Sequence, residues 1–253
     1  MNKVTRKKLR QIYSFMERAY PANWQTRWNK TPYMTSFAEQ EKIDKFVTKV
    51  GKLESVPGHV WACIGLWMSL RQLCPNLDKL VNSEEIYERL WAHDLGETYR
   101  GDISYAIKIH SRLDEGKEEE RKDLVKLTSN LPLKERERLI RWFDEFEEKE
   151  DEKGIKLEVL VARWIDNLQG DHFALVFGNN LARHKETLEK ITKMRSAGRS
   201  KRLIDYLKQK AKDKNAKPQS CLKAAWEVRA VILAHIELIR SRVVKFDLSE
   251  LGF

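Results

Sequence analysis

The chain has 253 residues, of which 42% are hydrophobic and 34% charged, with eight Trp, nine Phe and seven Tyr. That suits one large domain with an appendage and excludes a wholly disordered chain. Cys63, Cys74 and Cys221 are too widely spaced for a disulfide scaffold or a CxxC knuckle, which points to a reducing compartment. The formal charge of +10 is uneven: residues 185–217 hold 12 Lys/Arg against four acids, whereas residues 114–153 hold 15 acids against 10 bases.

Apolar residues recur at three- and four-residue steps almost throughout, so the expected fold is all-α, with about ten helices and no internal repeat. Leu9, Ile12, Tyr13, Met16 and Ala19 mark a first amphipathic helix ended near Pro21. A polar loop over 23–35 leads to a second helix around 37–50. Pro57-Gly58 opens a strongly apolar helix running to about Leu73, before Pro75. Its run Val60–Leu70 is too short to cross a bilayer, and the basic N-terminus lacks the apolar stretch of a secretory leader. A cytoplasmic protein with no membrane partner is expected. Asn82 caps a fourth helix through Asp94 or Glu97, with Glu84 and Glu85 in its first turn.

An irregular stretch around Gly101-Asp102 precedes helices near 118–127 and 131–146, the second begun by Leu131-Pro132-Leu133. A polar turn over 151–154 then leads to a long core helix over 157–177. Helices near 181–194, 201–212 and 220–244 complete the chain, divided by Gly198 and the turn over 215–218. Trp61, Trp67, Trp91 and Trp164 are expected to pack the core. His110, His172, His184 and His235 are read as structural or surface residues.

Three features carry chemistry. Glu54-Ser-Val-Pro-Gly-His59 enters the third helix, His93-Asp94-Leu-Gly-Glu97-Thr-Tyr-Arg-Gly101-Asp102 ends the fourth, and Arg163-Trp-Ile-Asp166 lies inside the long helix. Six His and 13 Asp would give about 0.3 His-Asp dipeptides by chance, so the setting matters more than the pair. Two imidazoles and two carboxylates form a mixed N/O set suited to a divalent transition metal, with positions left for water and a phosphate oxygen. A spacing of four places His93 and Glu97 on one side of a helix, and Gly101 lets the chain turn Asp102 toward the same cleft. Asp166 in an otherwise apolar helix is costly unless something pairs with it.

The order His59, His93-Asp94, Asp166 resembles the HD-domain metal-dependent phosphohydrolases. The fuller pattern, acid-Ser-Val-x-x-His followed by His-Asp-x-x-Glu-x-x-x-Gly-Asp, is similar to the small HD-domain 5′-deoxynucleotidases, over residues 42–180 or so. Leu131-Pro132, the stretch 142–148 and a base three before Asp166 agree with that subfamily. The resemblance implies a helical bundle over 42–180, flanked by extensions over 1–41 and 181–253. It implies that His59, His93, Asp94 and Asp166 hold one divalent cation, manganese, cobalt or a similar metal. Glu97 would assist the attacking water and Asp102 would serve the sugar or the leaving oxygen. Lys52 and Arg163 would contact the substrate phosphate. The implied reaction is hydrolysis of a nucleoside 5′-monophosphate by a metal-bound water, in a family where homodimers are common. The sequence departs from the family at Asp44 and Lys45, where an Arg is usual, at Gly58, which replaces an acid, and at Arg163, which replaces a Lys.

Two other readings stand beside it. The same metal and acids could attack a different phosphorus, as in a dNTP triphosphohydrolase or pyrophosphatase. Alternatively, a non-catalytic HD fold could bind nucleic acid through residues 185–217, although Tyr206 is the sole aromatic there and a stacking platform is missing.

Overall fold

The computed structural model describes residues 5–7, 9–10, 13, 56–98, 116–129, 131, 133–147, 154–177, 192–214 and 216–242. Every element among them is helical. In chain order they are α1 (Val56–Leu70), a single turn α2 (Pro75–Asp78), α3 (Ser83–Ala92), a 3-10 turn (Leu95–Thr98), α4 (Gly116–Leu127), α5 (Leu133–Glu147), α6 (Leu157–Phe177), a π-helical turn (Lys193–Ala197), α7 (Gly198–Lys210) and α8 (Pro218–Arg242). Residues 5–7, 9–10 and 13 are helical too. The expected helix over 37–50 and most of that over 181–194 lie outside the described residues.

The long helix α6 is the axis of the molecule. It packs against α1, α3, α5, the π turn, α7 and α8. Leu157, Val159, Leu160, Val161, Ala162, Trp164, Ile165 and Leu168 are all buried, so the helix is apolar nearly all round because neighbours surround it. Its core is continuous from Leu9 and Tyr13 through α1 and α6 to Ile239 in α8, so residues before 42 and after 180 share one core with the middle of the chain. Trp67 and Trp164 lie in that core with their indole N–H groups satisfied by Ser83 Oγ (3.1 Å) and Ser200 Oγ (3.0 Å). Trp61 and Trp91 are about half exposed, so only two of the four tryptophans do what the sequence suggested.

Local chemistry explains most boundaries. Asn82 Oδ1 accepts the Glu84 N–H at 3.0 Å and caps α3, as expected from the sequence. Gly154, at φ +110°, turns the chain between α5 and α6 in a region that L side chains avoid. The single turn α2 was not foreseen; Glu227 of α8 accepts the backbone N–H groups of Asn76 and Leu77, which stabilises its N-terminus through a tertiary contact. Gly198 does not divide two helices: its φ of −59° is helical, and the chain passes through it from the π turn into α7.

The end of α3 also differs from expectation. The α-helix stops at Ala92, and a 3-10 turn over Leu95–Thr98 follows, so His93 and Glu97 do not share one α-helical turn. Gly96 shows the reason. The turn packs so closely on α4 that a Cβ at Gly96 would lie 2.8 Å from the Glu120 carbonyl carbon, closer still to its oxygen. Helix backbone cannot yield as a side-chain tip can. Gly96→Ala is therefore expected to lower unfolding free energy by about 1–3 kcal/mol, the usual cost of overpacking, read as a lower midpoint in urea.

Candidate metal centre

Three elements deliver four side chains to one point. His59 comes from the first turn of α1, His93 and Asp94 from the end of α3, and Asp166 from the middle of α6. His59 Nε2 lies 3.1 Å from Asp166 Oδ1 and 3.4 Å from Asp94 Oδ2. His93 Nε2 lies 3.2 Å from Asp94 Oδ1 and 3.9 Å from Asp166 Oδ1. Ligands about 2.1 Å from a shared cation stand about 3.0–3.4 Å apart, whether octahedral or tetrahedral. Three of the four separations are of that size and the fourth, His93 to Asp166, is longer at 3.9 Å; His59, His93 and Asp94 form a group able to hold a metal ion.

Both imidazoles are oriented by what their other nitrogen touches. His93 Nδ1–H donates to the Leu90 carbonyl at 2.7 Å, which leaves Nε2 as the lone-pair nitrogen; buried, it makes no hydrogen bond and is aimed into the cluster. His59 Nδ1–H donates to Gln169 Oε1 at 2.5 Å. Gln169 and Asp166 are three apart on α6, so one helix face holds the His59 ring from both sides. This is the outer-shell support expected of metal-binding histidines. The buried Nε2 of His93, which faces the Asp94 and Asp166 carboxylates at 3.2 and 3.9 Å, is the observation that fits a cation best, because a shared cation would hold imidazole nitrogen and carboxylate oxygens together there. Cys63, one turn after His59, brings its Sγ within 3.7 Å of His59 Nε2 and forms a second group with His59 and Asp166.

The charges are mutually adjusted. Burial opposes ionisation of Asp166, but the hydrogen bond from His59 and the nearby positive charges of Arg195, His59 and His93 hold its carboxyl well below the usual range. Burial likewise opposes the charge on Asp94, and His93 outweighs it to hold that carboxyl low. For His93 burial favours the neutral ring, yet Asp94 and Asp166 raise its pKa. A divalent cation needs neutral imidazoles and so inverts this balance. Cation uptake should therefore release protons, and Mn²⁺ affinity should rise as the pH passes above about 6.5, because His93 holds its proton longer than an ordinary imidazole. Calorimetric titrations in two buffers of different ionisation heat check both points.

The remaining expected residues are placed differently. Glu97 falls in the 3-10 turn immediately after the His-Asp pair. Lys52 and Asp102 lie outside the described residues. Arg163 is only 3% exposed, and its guanidinium donates from Nε to the Phe146 carbonyl (2.6 Å) and from Nη2 to that of Glu145 (3.2 Å). There it caps the C-terminal end of α5, whose Phe146 ring packs on His93 at 4.6 Å, and the structure does not bring it into the four-residue cluster.

Besides Cys63, two residues missed in the sequence reach the site. Gln169 is one; a buried amide three residues after a ligand on the same helix is the signal that could have found it. Arg195 is the other. From the π turn its Nη2 reaches Asp166 Oδ2 at 3.5 Å, and its Nε donates to Asn167 Oδ1 at 2.7 Å.

A family model described as HD domain matches residues 45–211. The chain belongs to the HD domain family. HD domains are in general metal-dependent phosphohydrolases that bind divalent cations, and the His/Asp cluster lies within the matched span, as do the π turn and α7. No curated protein and no solved structure matches the chain. Among the described residues, no helix is long and apolar enough to cross a membrane.

Proposed function

We propose that this HD domain is a nucleotide phosphohydrolase, and specifically a 5′-(deoxy)nucleotidase that converts nucleoside 5′-monophosphates into nucleoside and phosphate. The observation that carries this reading is the convergence of His59, His93, Asp94 and Asp166 with both outer ring nitrogens already engaged. These four would hold one divalent cation, manganese or cobalt in kind. When bound, such an ion supplies Lewis acidity: it acidifies a water and neutralises charge on a phosphoryl oxygen.

The protein's own groups do the rest. The imidazoles are fixed by Leu90 and Gln169, so the site needs little reorganisation to receive its ligand. Glu97, placed next in the chain after the His-Asp pair, would take the proton of the attacking water. Asp102 would serve the sugar or the leaving oxygen, and Lys52 the phosphate. Arg163 would act indirectly, holding the end of α5 and its Phe146 against His93.

The experiment is a panel of dNMPs, NMPs and dNTPs incubated with purified protein and Mn²⁺ or Co²⁺, with products identified. Orthophosphate and nucleoside from a monophosphate are expected. Tripolyphosphate or pyrophosphate released from a dNTP would instead make the chain a triphosphohydrolase or pyrophosphatase of the same class.

A further inference from the structure

The basic tract flagged by composition has a specific point of contact with the metal centre. Most of its described cations, Lys201, Arg202, Lys208, Lys212 and Lys214 among them, lie on the exposed side of α7 and the turn after it. Arg195 differs. The π turn that carries it is anchored on α6 by Ser196, whose Oγ donates to Asp171 Oδ2 (2.5 Å) and lies 3.1 Å from the Asn167 carbonyl oxygen. Ser200 Oγ then donates to the Ser196 carbonyl at 2.6 Å. A π turn is a costly departure from the α-helix, often found where a side chain must be aimed. Here it aims a guanidinium at the outer oxygen of a metal-ligand carboxylate.

Asp166 is divided between two tasks. Oδ1 faces the two histidines, whereas Oδ2 faces Arg195 and accepts from Asn167 Nδ2 at 3.2 Å. Asn167 in turn fixes Arg195 through Nε, which sets the plane of the guanidinium. The Arg195 side chain is nonetheless 36% exposed, so part of it faces solvent at the edge of the cluster. Two carboxylates and one divalent cation sum to no net charge, too little to hold a phosphate dianion. Arg195 supplies the missing positive charge, in the planar form that matches phosphate oxygens.

We propose that Arg195 is a phosphate-binding residue of this site, contacting the substrate's phosphate monoester dianion beside the metal. The inference rests on the phosphohydrolase reading above. It gives part of the basic tract a role in the site, and it replaces Arg163, which is turned into the α5 carbonyls, as the arginine facing substrate.

The test uses the full-length chain loaded with Mn²⁺, as wild type, Arg195→Gln and Arg195→Lys. Inorganic phosphate affinity is measured calorimetrically, Mn²⁺ affinity separately, and KM and kcat on the best dNMP. Arg195→Gln should weaken phosphate binding and raise KM about 10- to 100-fold, the loss of a charge-assisted pair, with Mn²⁺ affinity changed less than about 3-fold. Arg195→Lys, which keeps the charge without the fork, should fall between, and it decides the matter alone if the glutamine variant does not fold. Phosphate affinity within about 2-fold of wild type in the folded variants overturns the proposal. So does a loss confined to Mn²⁺ affinity, which would make Arg195 a positioning residue for Asp166. Phosphate binding is read independently of turnover. A wild type that binds phosphate through Arg195 but hydrolyses no ester would sink the nucleotidase reading alone, and unaffected variants of an active enzyme would sink this inference alone.

Discussion

His93→Ala is expected to abolish phosphohydrolase turnover and to weaken Mn²⁺ binding by well over about 100-fold, the upper end of what loss of a supporting residue costs. His93 is a direct ligand in this reading: its Nε2 is buried, makes no hydrogen bond and points at both carboxylates. Asp166→Asn should do the same by a different route. It removes the charge that draws the cation while leaving a side chain of equal size in α6. Gln169→Leu makes the contrast, because it takes away the acceptor for His59 Nδ1–H and leaves all four ligands in place. Its effect on Mn²⁺ affinity should be about 10- to 100-fold. Metal content after gel filtration, isothermal titration and thermal melts of each variant check the set. If His93→Ala bound Mn²⁺ as tightly as the wild type and kept full activity, the proposed centre would be wrong.

The sequence shows the ligands more readily than their supports, and the reason is physical. His59, His93-Asp94 and Asp166 are read from residue type and order, which a linear pattern retains. Helix α6 is legible for a similar reason: its apolar period is unbroken from Leu157 to Phe177, and the observed ends coincide with the expected ones. Supports depend on what other elements do. Nothing local to Arg163 says that the open carbonyls of α5 will capture its guanidinium. Nothing local to Glu227 says that it will cap α2 from 150 residues away in the chain. The π turn around Arg195 is invisible to a 3.6-residue period, because it is one extra residue accommodated by contacts with Asn167 and Asp171.

The end of α3 failed in an instructive way. A period of four made His93 and Glu97 neighbours on one helical face, but Gly96 packs against α4 and converts that stretch into a tighter turn. Among the histidines, His172 and His235 are buried beside Tyr13, whose hydroxyl is hydrogen-bonded to His235 Nδ1. Both lie in the interior rather than on the surface, where they tie the helical residues near 13 to α6 and α8.

Trp164→Ala should carry the largest stability cost of any single truncation near the site, about 3–5 kcal/mol for loss of a fully buried aromatic side chain. The indole is in the core two residues before Asp166, in the helix against which α1, α3, α5, α7 and α8 all pack. Its Nε1–H also donates to Ser200 Oγ, and Ser200 holds the π turn through the Ser196 carbonyl. Truncation therefore opens a cavity where α6 packs against α7 and loosens the segment that presents Arg195. Trp164→Phe separates these effects. It keeps most of the apolar volume and deletes the donor, so a smaller loss of about 1–2 kcal/mol is expected, as for one buried hydrogen bond. Chemical denaturation gives both stabilities, and calorimetry gives phosphate affinity for each variant folded in the presence of Mn²⁺. Since Ser200 and Ser196 connect the indole to Arg195, Trp164→Phe should weaken phosphate binding more than Mn²⁺ binding. Equal losses of the two would mean that the indole acts on Asp166 through α6 rather than on Arg195 through the π turn.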